Sequence, residues 1–394
     1  MTWPSSIFFV GNVSNGIPII FSLTNSTKNL NIIIKTLLII SNSNLLSVRL
    51  LYSVSRFCIM FDGKKVLITG GTGSLGIALT RKLLKTDVEI IRIYSRNESK
   101  QVEMQAKMTD PRLRFLIGYV RDLERLTRAV EDVDIVIHAA ALKHVPIVEY
   151  NPFEAIKTNV LGSQNIIDAC LRENVETVIC VGTDKAVSPL NTYGATKHLM
   201  EKLFVTASNY VNPVRYKTKF LAVRYGNVLG SSNSVIPKFI EQIQSGKNIT
   251  ITDPNMTRFT ITMDQAVNLI LTAIKKGHGG EIFIPKLKAY NLDTLKNAIL
   301  DILKKSVKTE KIPVRQGEKF HESLINSEEL RNTFEIDNLY VILDKQMHAV
   351  TFSKWNDLKE TSLKDQYSSD NVEILTKEKL IDIIIKEGLV TTDE

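Results

Sequence analysis

The chain has 394 residues, 44% of them hydrophobic and 23% charged, with a formal net charge of +8. These are the proportions of an ordinary globular protein with a sizeable core, long enough for one large α/β domain or two smaller ones. The modest positive charge suits an anionic small ligand, and with no RRM, zinc-finger or helix-turn-helix signature no nucleic-acid partner is expected.

Cysteine usage points the same way. Cys58, Cys170 and Cys180 have neither metal-ligand spacing nor an even framework, so core thiols in a reducing compartment, the cytoplasm, are expected, with no metal site. Residues 1–60 are compositionally foreign, rich in Asn, Ser, Ile and Leu and free of Asp and Glu. The run Ile32–Ile40 is broken by Lys35 and falls well short of the roughly 18 apolar residues that span a bilayer. Neither a capped helix nor an alternating strand is visible there. The leader therefore reads as an extension outside the fold, with a targeting role as the alternative and no membrane contact expected.

From Lys64 the pattern changes. Residues 66–69 form a buried strand, a glycine turn follows, and residues 74–85 form a helix with Leu75, Leu79 and Leu83 on one face. Strand, glycine turn and helix make the first unit of a dinucleotide-binding fold. Gly70 permits the turn, Gly73 lets backbone approach a pyrophosphate, and Gly76 lets helix and sheet pack closely. A second strand, 89–94, ends in Ser95-Arg96-Asn97. An acidic residue there would accept from a ribose 2′-hydroxyl, whereas Arg96 suits a 2′-phosphate, so NADP is favoured over NAD. Strands follow at 114–120 and 133–141, the latter ending in Ala139-Ala140-Ala141. Asn151-Pro152-Phe153-Glu154 has the form of a helix start, with Asn151 as cap. Its helix carries Asn159 and runs to about Arg172.

A strand at 177–182 delivers Thr183-Asp184-Lys185, and Tyr193 and Lys197 follow at helical spacing. Residues four apart share a helix face, and an ammonium beside a phenol favours the phenolate. A further strand, 220–225, leads into Gly226-Asn227. Strict alternation of strand and helix predicts a doubly wound parallel sheet in an α/β fold. The expected division is a leader (1–60), a Rossmann domain (61–229), and a smaller substrate-binding lobe with a C-terminal tail (230–394), whose residues 380–385 form a short helix.

TGGTGSLG, HAAALKHVPIVEYNPFEAIKTNVLGSQN, TDKAVSPLNTYGATK, VRYGNVLGSSNSVIP, ITDPNMTRF and GEKFHESLI together resemble the extended short-chain dehydrogenase/reductases. More narrowly, they are similar to the UDP-N-acetylglucosamine 4,6-dehydratases that invert carbon 5, and the likeness runs from about Phe61 to the C-terminus. The resemblance implies that Tyr193 takes the proton of the sugar 4-hydroxyl and that Lys197 orients the cofactor ribose. Lys185 is then the base at carbon 5 and Asp184 the acid for the departing 6-hydroxyl, with Thr183 beside them. It places Gly70, Thr72, Gly73, Ser74, Leu75, Gly76, Ser95, Arg96, Asp122, Ala139, Ala140 and Lys143 around the cofactor. Lys143, Asn227, Arg258, Arg315 and Glu318 would lie around the UDP-sugar, and a homo-oligomer, a hexamer among its forms, is implied.

Two departures stand out. Tyr119 occupies the place of an Asp that would contact adenine, and Ser232-Asn233 replaces an Arg-Gly. Alternative readings are a UDP-hexose 4-epimerase, which needs only Tyr193, Lys197 and the cofactor, a carbon-5-retaining dehydratase, and a non-catalytic NADP-binding regulator.

Overall fold

The computed structural model describes residues 7–12, 18–23, 60–212, 214–231, 234–343 and 353–390. The chain divides into two compact units, Met1–Asp62 and Gly63–Glu394. In the first, β1 (Ile7–Asn12) and β2 (Pro18–Leu23) pair antiparallel, with Ile7 opposite Leu23. This corrects the expectation of a leader without strands. IFFVGN and PIIFSL are nearly continuous apolar runs, so the period-2 alternation that marks a half-exposed strand is missing from them. The Ile32–Ile40 run, Cys58 and Ser232-Asn233 lie outside the described residues.

The second unit opens with alternating elements: β3 (Lys65–Thr69), α1 (Ser74–Leu83), β4 (Ile90–Ser95), α2 (Glu98–Lys107), β5 (Leu113–Ile117), α3 (Leu123–Val130) and β6 (Ile135–His138). Two short helices, Val145–Tyr150 and Pro152–Ala155, then run through a π-helical stretch, Ile156–Leu161, into α4 (Gly162–Arg172). Next come β7 (Thr177–Val181), α5 (Thr192–Tyr210), β8 (Lys219–Val223), β9 (Asn227–Val228), α6 (Val235–Gln244), β10 (Ile249–Ile251), β11 (Thr257–Ile261) and α7 (Met263–Lys276). The chain closes with β12 (Ile282–Pro285), β13 (Lys288–Asn291), α8 (Leu292–Leu303), β14 (Thr309–Lys311), β15 (Ser323–Ile325), β16 (Thr333–Ile336), β17 (Leu339–Ile342), β18 (Lys359–Glu360), β19 (Tyr367–Ser368) and α9 (Lys377–Lys386).

Among the described residues the main sheet has ten strands, in the order β18-β16-β17-β12-β8-β7-β6-β3-β4-β5. From β12 to β5 every pair is parallel, while β17, β16 and β18 add antiparallel at the far edge. The expected doubly wound sheet is present. Helices cover both faces, so β6 and β8 are buried along nearly their whole length and read as apolar runs. The first strand of this sheet in chain order, β3, lies between β4 and β6. There the winding reverses and a crevice opens at the carboxyl ends.

Residues beyond 230 serve two places. β12, β16, β17 and β18 extend the main sheet, whereas α6, α8 and α9 pack around Ile251, Met256 and Tyr290 in a second core. The three-stranded sheet β13-β11-β9 links the two. Cys170 and Cys180 are buried in the core between the main sheet and α3, α4 and α5. One local reading is overturned. Asn151 does not cap the helix after it: its side-chain amide donates to the Ile147 carbonyl at 2.9 Å and closes the preceding helix. Two helices abut there, and the cap residue of the second is already the end of the first.

Candidate active site

The crevice begins at the β3–α1 turn. Gly70 has φ +66°, and a Cβ there would lie 2.9 Å from the Ala140 backbone, so the turns after β3 and β6 close on each other at this glycine. Gly76 packs on the Gly71 backbone, and a Cβ on Gly71 would meet Ile93 of β4 at 2.8 Å. The close helix–sheet approach thus runs through two glycines, Gly71 and Gly76. At the start of α1, Gly73 provides no side-chain cap. The N–H groups of the first turn, with Thr72, Ser74 and Leu75, therefore present positive partial charge to the crevice, a fit for a dinucleotide diphosphate.

Polar groups buried beneath fix the neighbouring loop. Ala140 N–H donates to Thr69 Oγ1 at 3.2 Å, and Thr69 lies 2.8 Å from His138 Nδ1. His138 Nε2 meets Ser163 Oγ at 3.1 Å, and Ser163 donates to the Asn159 carbonyl at 2.6 Å. Burial first, and the Lys197 charge second, lower the His138 pKa to about 3. This histidine is a neutral structural link. Asn159 holds both Leu142 N–H and C=O, at 2.8 and 2.9 Å, and donates to Thr196 of α5 at 3.0 Å. It so fixes the loop that carries Ala139, Ala140 and the exposed Lys143.

At the outer end of the crevice the expected residues differ in role. Ser95 is buried and accepts from Gln101 at 3.0 Å, and Asp122 caps α3, accepting from Arg125 N–H at 2.9 Å. Arg96 is exposed where β4 ends, and Tyr119 is 51% exposed.

The chemical centre lies at the end of β7. Thr183 caps a 3₁₀ turn, Asp184–Ala186, and donates to Asp184 Oδ1 at 3.0 Å. Lys185 Nζ lies 3.0 Å from Asp184 Oδ1, 3.1 Å from Glu322 Oε1 and 3.3 Å from Asn227 Oδ1. Both carboxylates are almost fully buried. Burial opposes the ammonium, but the two carboxylates outweigh it and hold the Lys185 pKa above the ordinary range. Gly194 of α5 packs on the Lys185 carbonyl, which seats the Tyr193 turn against this loop.

Tyr193 and Lys197 share the α5 face but have different neighbours. Burial pushes the Tyr193 phenol up to about 12, while the Lys185 ammonium and the Thr183 hydroxyl pull it down. Lys197 is buried, its ammonium donates to the Met200 sulfur at 3.0 Å, and burial lowers its pKa to about 8. A thioether is a weak acceptor for a buried cation, and an ammonium so placed suits the hydroxyls of a ribose.

The remaining expected residues gather on the C-terminal side. Arg258 on β11 pairs with Glu318 at 3.2 Å and donates to the Phe320 carbonyl at 3.0 Å. Glu318 Oε2 also accepts from the Arg315 N–H at 3.4 Å. Arg315 and Glu318 are the charged neighbours of Lys238 on α6, so a basic cluster forms around them. Asn227 faces Lys185, 3.3 Å from its ammonium, and so joins the candidate centre rather than the basic cluster. Sequence reasoning missed Glu322, Lys238 and Gly194. Glu322 sits in GEKFHESLI, four residues after Glu318, and nothing in the spacing distinguishes which acid turns inward.

Parallel strand order, glycine cradle, buried Tyr193–Lys197 face and strand-end polar loop together define an extended short-chain dehydrogenase/reductase. Residues 66–344 match the model of the polysaccharide biosynthesis protein family, and the chain belongs to that family. It is 45% identical over 338 residues to a UDP-N-acetylglucosamine 4,6-dehydratase (inverting) of Campylobacter jejuni, covering 82% of this chain and 98% of the relative. It is 41% identical over 332 residues to a UDP-glucose 4-epimerase of Rickettsia bellii, covering 83% and 96%. The X-ray structure of Pen from Bacillus thuringiensis superposes with a TM-score of 0.78 at 37% identity, over 84% of this chain and 99% of that one.

Proposed function

We propose that this protein converts UDP-N-acetylglucosamine to a UDP-4-keto-6-deoxy sugar with inversion at carbon 5, using NADP that ends each turnover unchanged. The observation that carries the reading is the Asp184–Lys185 pair, 3.0 Å apart, its carboxylate buried and its ammonium half-buried, next to Tyr193. The bound nicotinamide would supply a hydride acceptor for carbon 4 and later a donor for carbon 6. Gly70, Thr72, Gly73, Ser74, Leu75 and Gly76 would hold its diphosphate, Ala139, Ala140 and Lys143 its flank, and Tyr193 and Lys197 its ribose. Ser95, the exposed Arg96 and Asp122 lie toward the adenosine end, and Arg96 favours a 2′-phosphate and hence NADP over NAD.

Tyr193 receives the proton of the 4-hydroxyl, favoured by the ammonium charge of Lys185 and by Lys197 on its own helix face. With carbon 4 a carbonyl, the hydrogen on carbon 5 is acidic and the 6-hydroxyl stands β to that carbonyl. Elimination then needs one base and one acid. Lys185 and Asp184 jointly carry one proton. Moving it from nitrogen to oxygen gives the neutral amine and the carboxylic acid that the two roles require, with no change of net charge. Arg315 and Lys238 would form the cationic surface for the UDP diphosphate, with the buried Arg258, held by Glu318, beside them.

A 4-epimerase, suggested by the Rickettsia relative, would use Tyr193 and Lys197 but leave the acid–amine pair without a task. Exposed Ile147, Tyr150, Phe153 and Leu161 on adjoining helical turns support a homo-oligomer. The reading places the reaction in the cytoplasm, without nucleic-acid partners; among the described residues no helix is long and apolar enough to cross a membrane.

Asp184→Asn and Lys185→Ala test the mechanism. Each should stop water loss, by about a hundredfold or more, while nucleotide binding stays largely intact. Unchanged turnover in both variants would remove it.

A further inference from the structure

The Asp184–Lys185 pair accounts for one acid and one base, yet Lys185 has a second carboxylate partner that no step above employs. Glu322 is 2% exposed and comes from the segment leading into β15. Its Oε1 lies 3.1 Å from Lys185 Nζ, and its backbone is fixed by Ser369, whose hydroxyl accepts from Glu322 N–H at 3.0 Å and whose N–H donates to the Glu322 carbonyl at 2.8 Å. Glu322 Oε2 and Asp184 Oδ2 are both buried without a hydrogen-bond partner. Stranding two carboxylate oxygens so close together costs stability, since a buried polar atom left unpaired forfeits its solvation. Such a cost is commonly tolerated where chemistry uses the group.

We infer that Glu322 is a positioning residue for the elimination: its carboxylate anchors the Lys185 side chain so that the amine formed on proton transfer to Asp184 faces carbon 5. The inference rests on the dehydratase reading and deepens it. In the step, the Lys185 proton first passes to Asp184 Oδ1. The amine lone pair then forms an N–H bond as the carbon-5 C–H bond breaks, and the electron pair enters the enolate. The enolate pair expels the 6-hydroxyl, which leaves as water with the Asp184 proton. Lysine ends as ammonium and aspartate as carboxylate, as both began, and Glu322 takes no part in the proton transfers. The charged and titratable groups facing Lys185 are Asp184, Glu322, Arg258, Tyr193, Tyr290 and Lys319. Of these, Asp184 and Glu322 are the ones that favour its ammonium.

The reactive form needs one proton shared by Lys185 and Asp184, and that form persists upward in pH until the pair loses it. Removing the Glu322 charge weakens the hold on the proton, so the alkaline limb of the elimination rate moves to lower pH.

The test is Glu322→Gln in the full chain loaded with NADP and given UDP-N-acetylglucosamine in heavy water. Nicotinamide absorbance follows oxidation at carbon 4, and NMR follows exchange at carbon 5. The inference predicts oxidation close to wild type, carbon-5 exchange slower by about a hundredfold, an alkaline limb displaced to lower pH, and partial recovery in Glu322→Asp. Exchange at the wild-type rate overturns it. So does exchange slowed equally at every pH, or loss of carbon-4 oxidation together with exchange, since each marks a merely structural role. A wild-type protein that forms no 4-keto-6-deoxy product would instead overturn the dehydratase reading.

Discussion

Lys197 is 3% exposed and carries a charge into the core with a methionine sulfur as its hydrogen-bond partner. Its pKa of about 8 in the fold, against 10.5 for a free lysine, is set first by burial. A depression of that size opposes folding at neutral pH by on the order of 3 kcal/mol. Between pH 8 and the ordinary lysine range the unfolded chain binds a proton that the native state does not, so stability rises with pH across that window. The Tyr193 phenol, raised to about 12, acts oppositely, but only above about pH 10. Lys197→Met should therefore make the nucleotide-free protein more stable at pH 7 and flatten its stability between pH 8 and 10, while abolishing turnover. Chemical denaturation across that pH range checks it; a variant no more stable than wild type at pH 7 would contradict the assignment. The cost of this residue to the fold is the signature of a group kept for binding.

At the scale of elements, the β3–α1 turn carries the cofactor fit. Gly70→Ala would place a methyl group 2.9 Å from the Ala140 backbone at a φ of +66°, strain in a region where only glycine is at ease. NADP binding measured by titration should weaken at least tenfold, whereas substitution at Gly63, also at positive φ but with open space around it, should leave it nearly unchanged. Equal effects at both glycines would refute a role for the closed crevice. This turn was legible in the sequence because glycine spacing and the switch from strand to helix periodicity both report local backbone geometry. The parallel, doubly wound character of the sheet was legible too, from the alternation of strand and helix. Less local features were not. Asn151 serves the helix before it, since a cap motif does not say which of two abutting helices owns it. Gly194 reads as an ordinary helix residue until the Lys185 carbonyl is seen against it. Glu322 and Asp184 are 138 positions apart in the chain, and only the packing of the β15 segment onto the β7 loop brings their carboxylates to one ammonium.

Among the described residues, one core lies between the main sheet and the helices α3, α4 and α5, and another around α6, α8 and α9. The candidate site lies where loops from the two meet, with Asp184, Lys185 and Tyr193 from the first and Arg258, Arg315 and Glu322 from the later segments. Arg224 ties these parts: it is 1% exposed, pairs with Glu201 of α5 at 2.7 Å and with Glu329 at 2.9 Å, and donates to the Leu324 carbonyl at 2.8 Å. Away from the site, the helical turns between Val145 and Leu161 pack on α5 and leave Tyr150 88% exposed beside Phe153. If that face joins subunits, Tyr150→Glu with Phe153→Glu should lower the mass measured by light scattering to that of a monomer, and an unchanged mass would place the interface elsewhere. On the proposed reading, the Asp184–Lys185 pair turns an oxidation into a dehydration. The most direct test is the wild-type protein with NADP and UDP-N-acetylglucosamine in heavy water, followed by NMR. A UDP-4-keto-6-deoxy sugar bearing deuterium at carbon 5 with inverted configuration is the predicted result, whereas UDP-N-acetylgalactosamine as the sole product would contradict it.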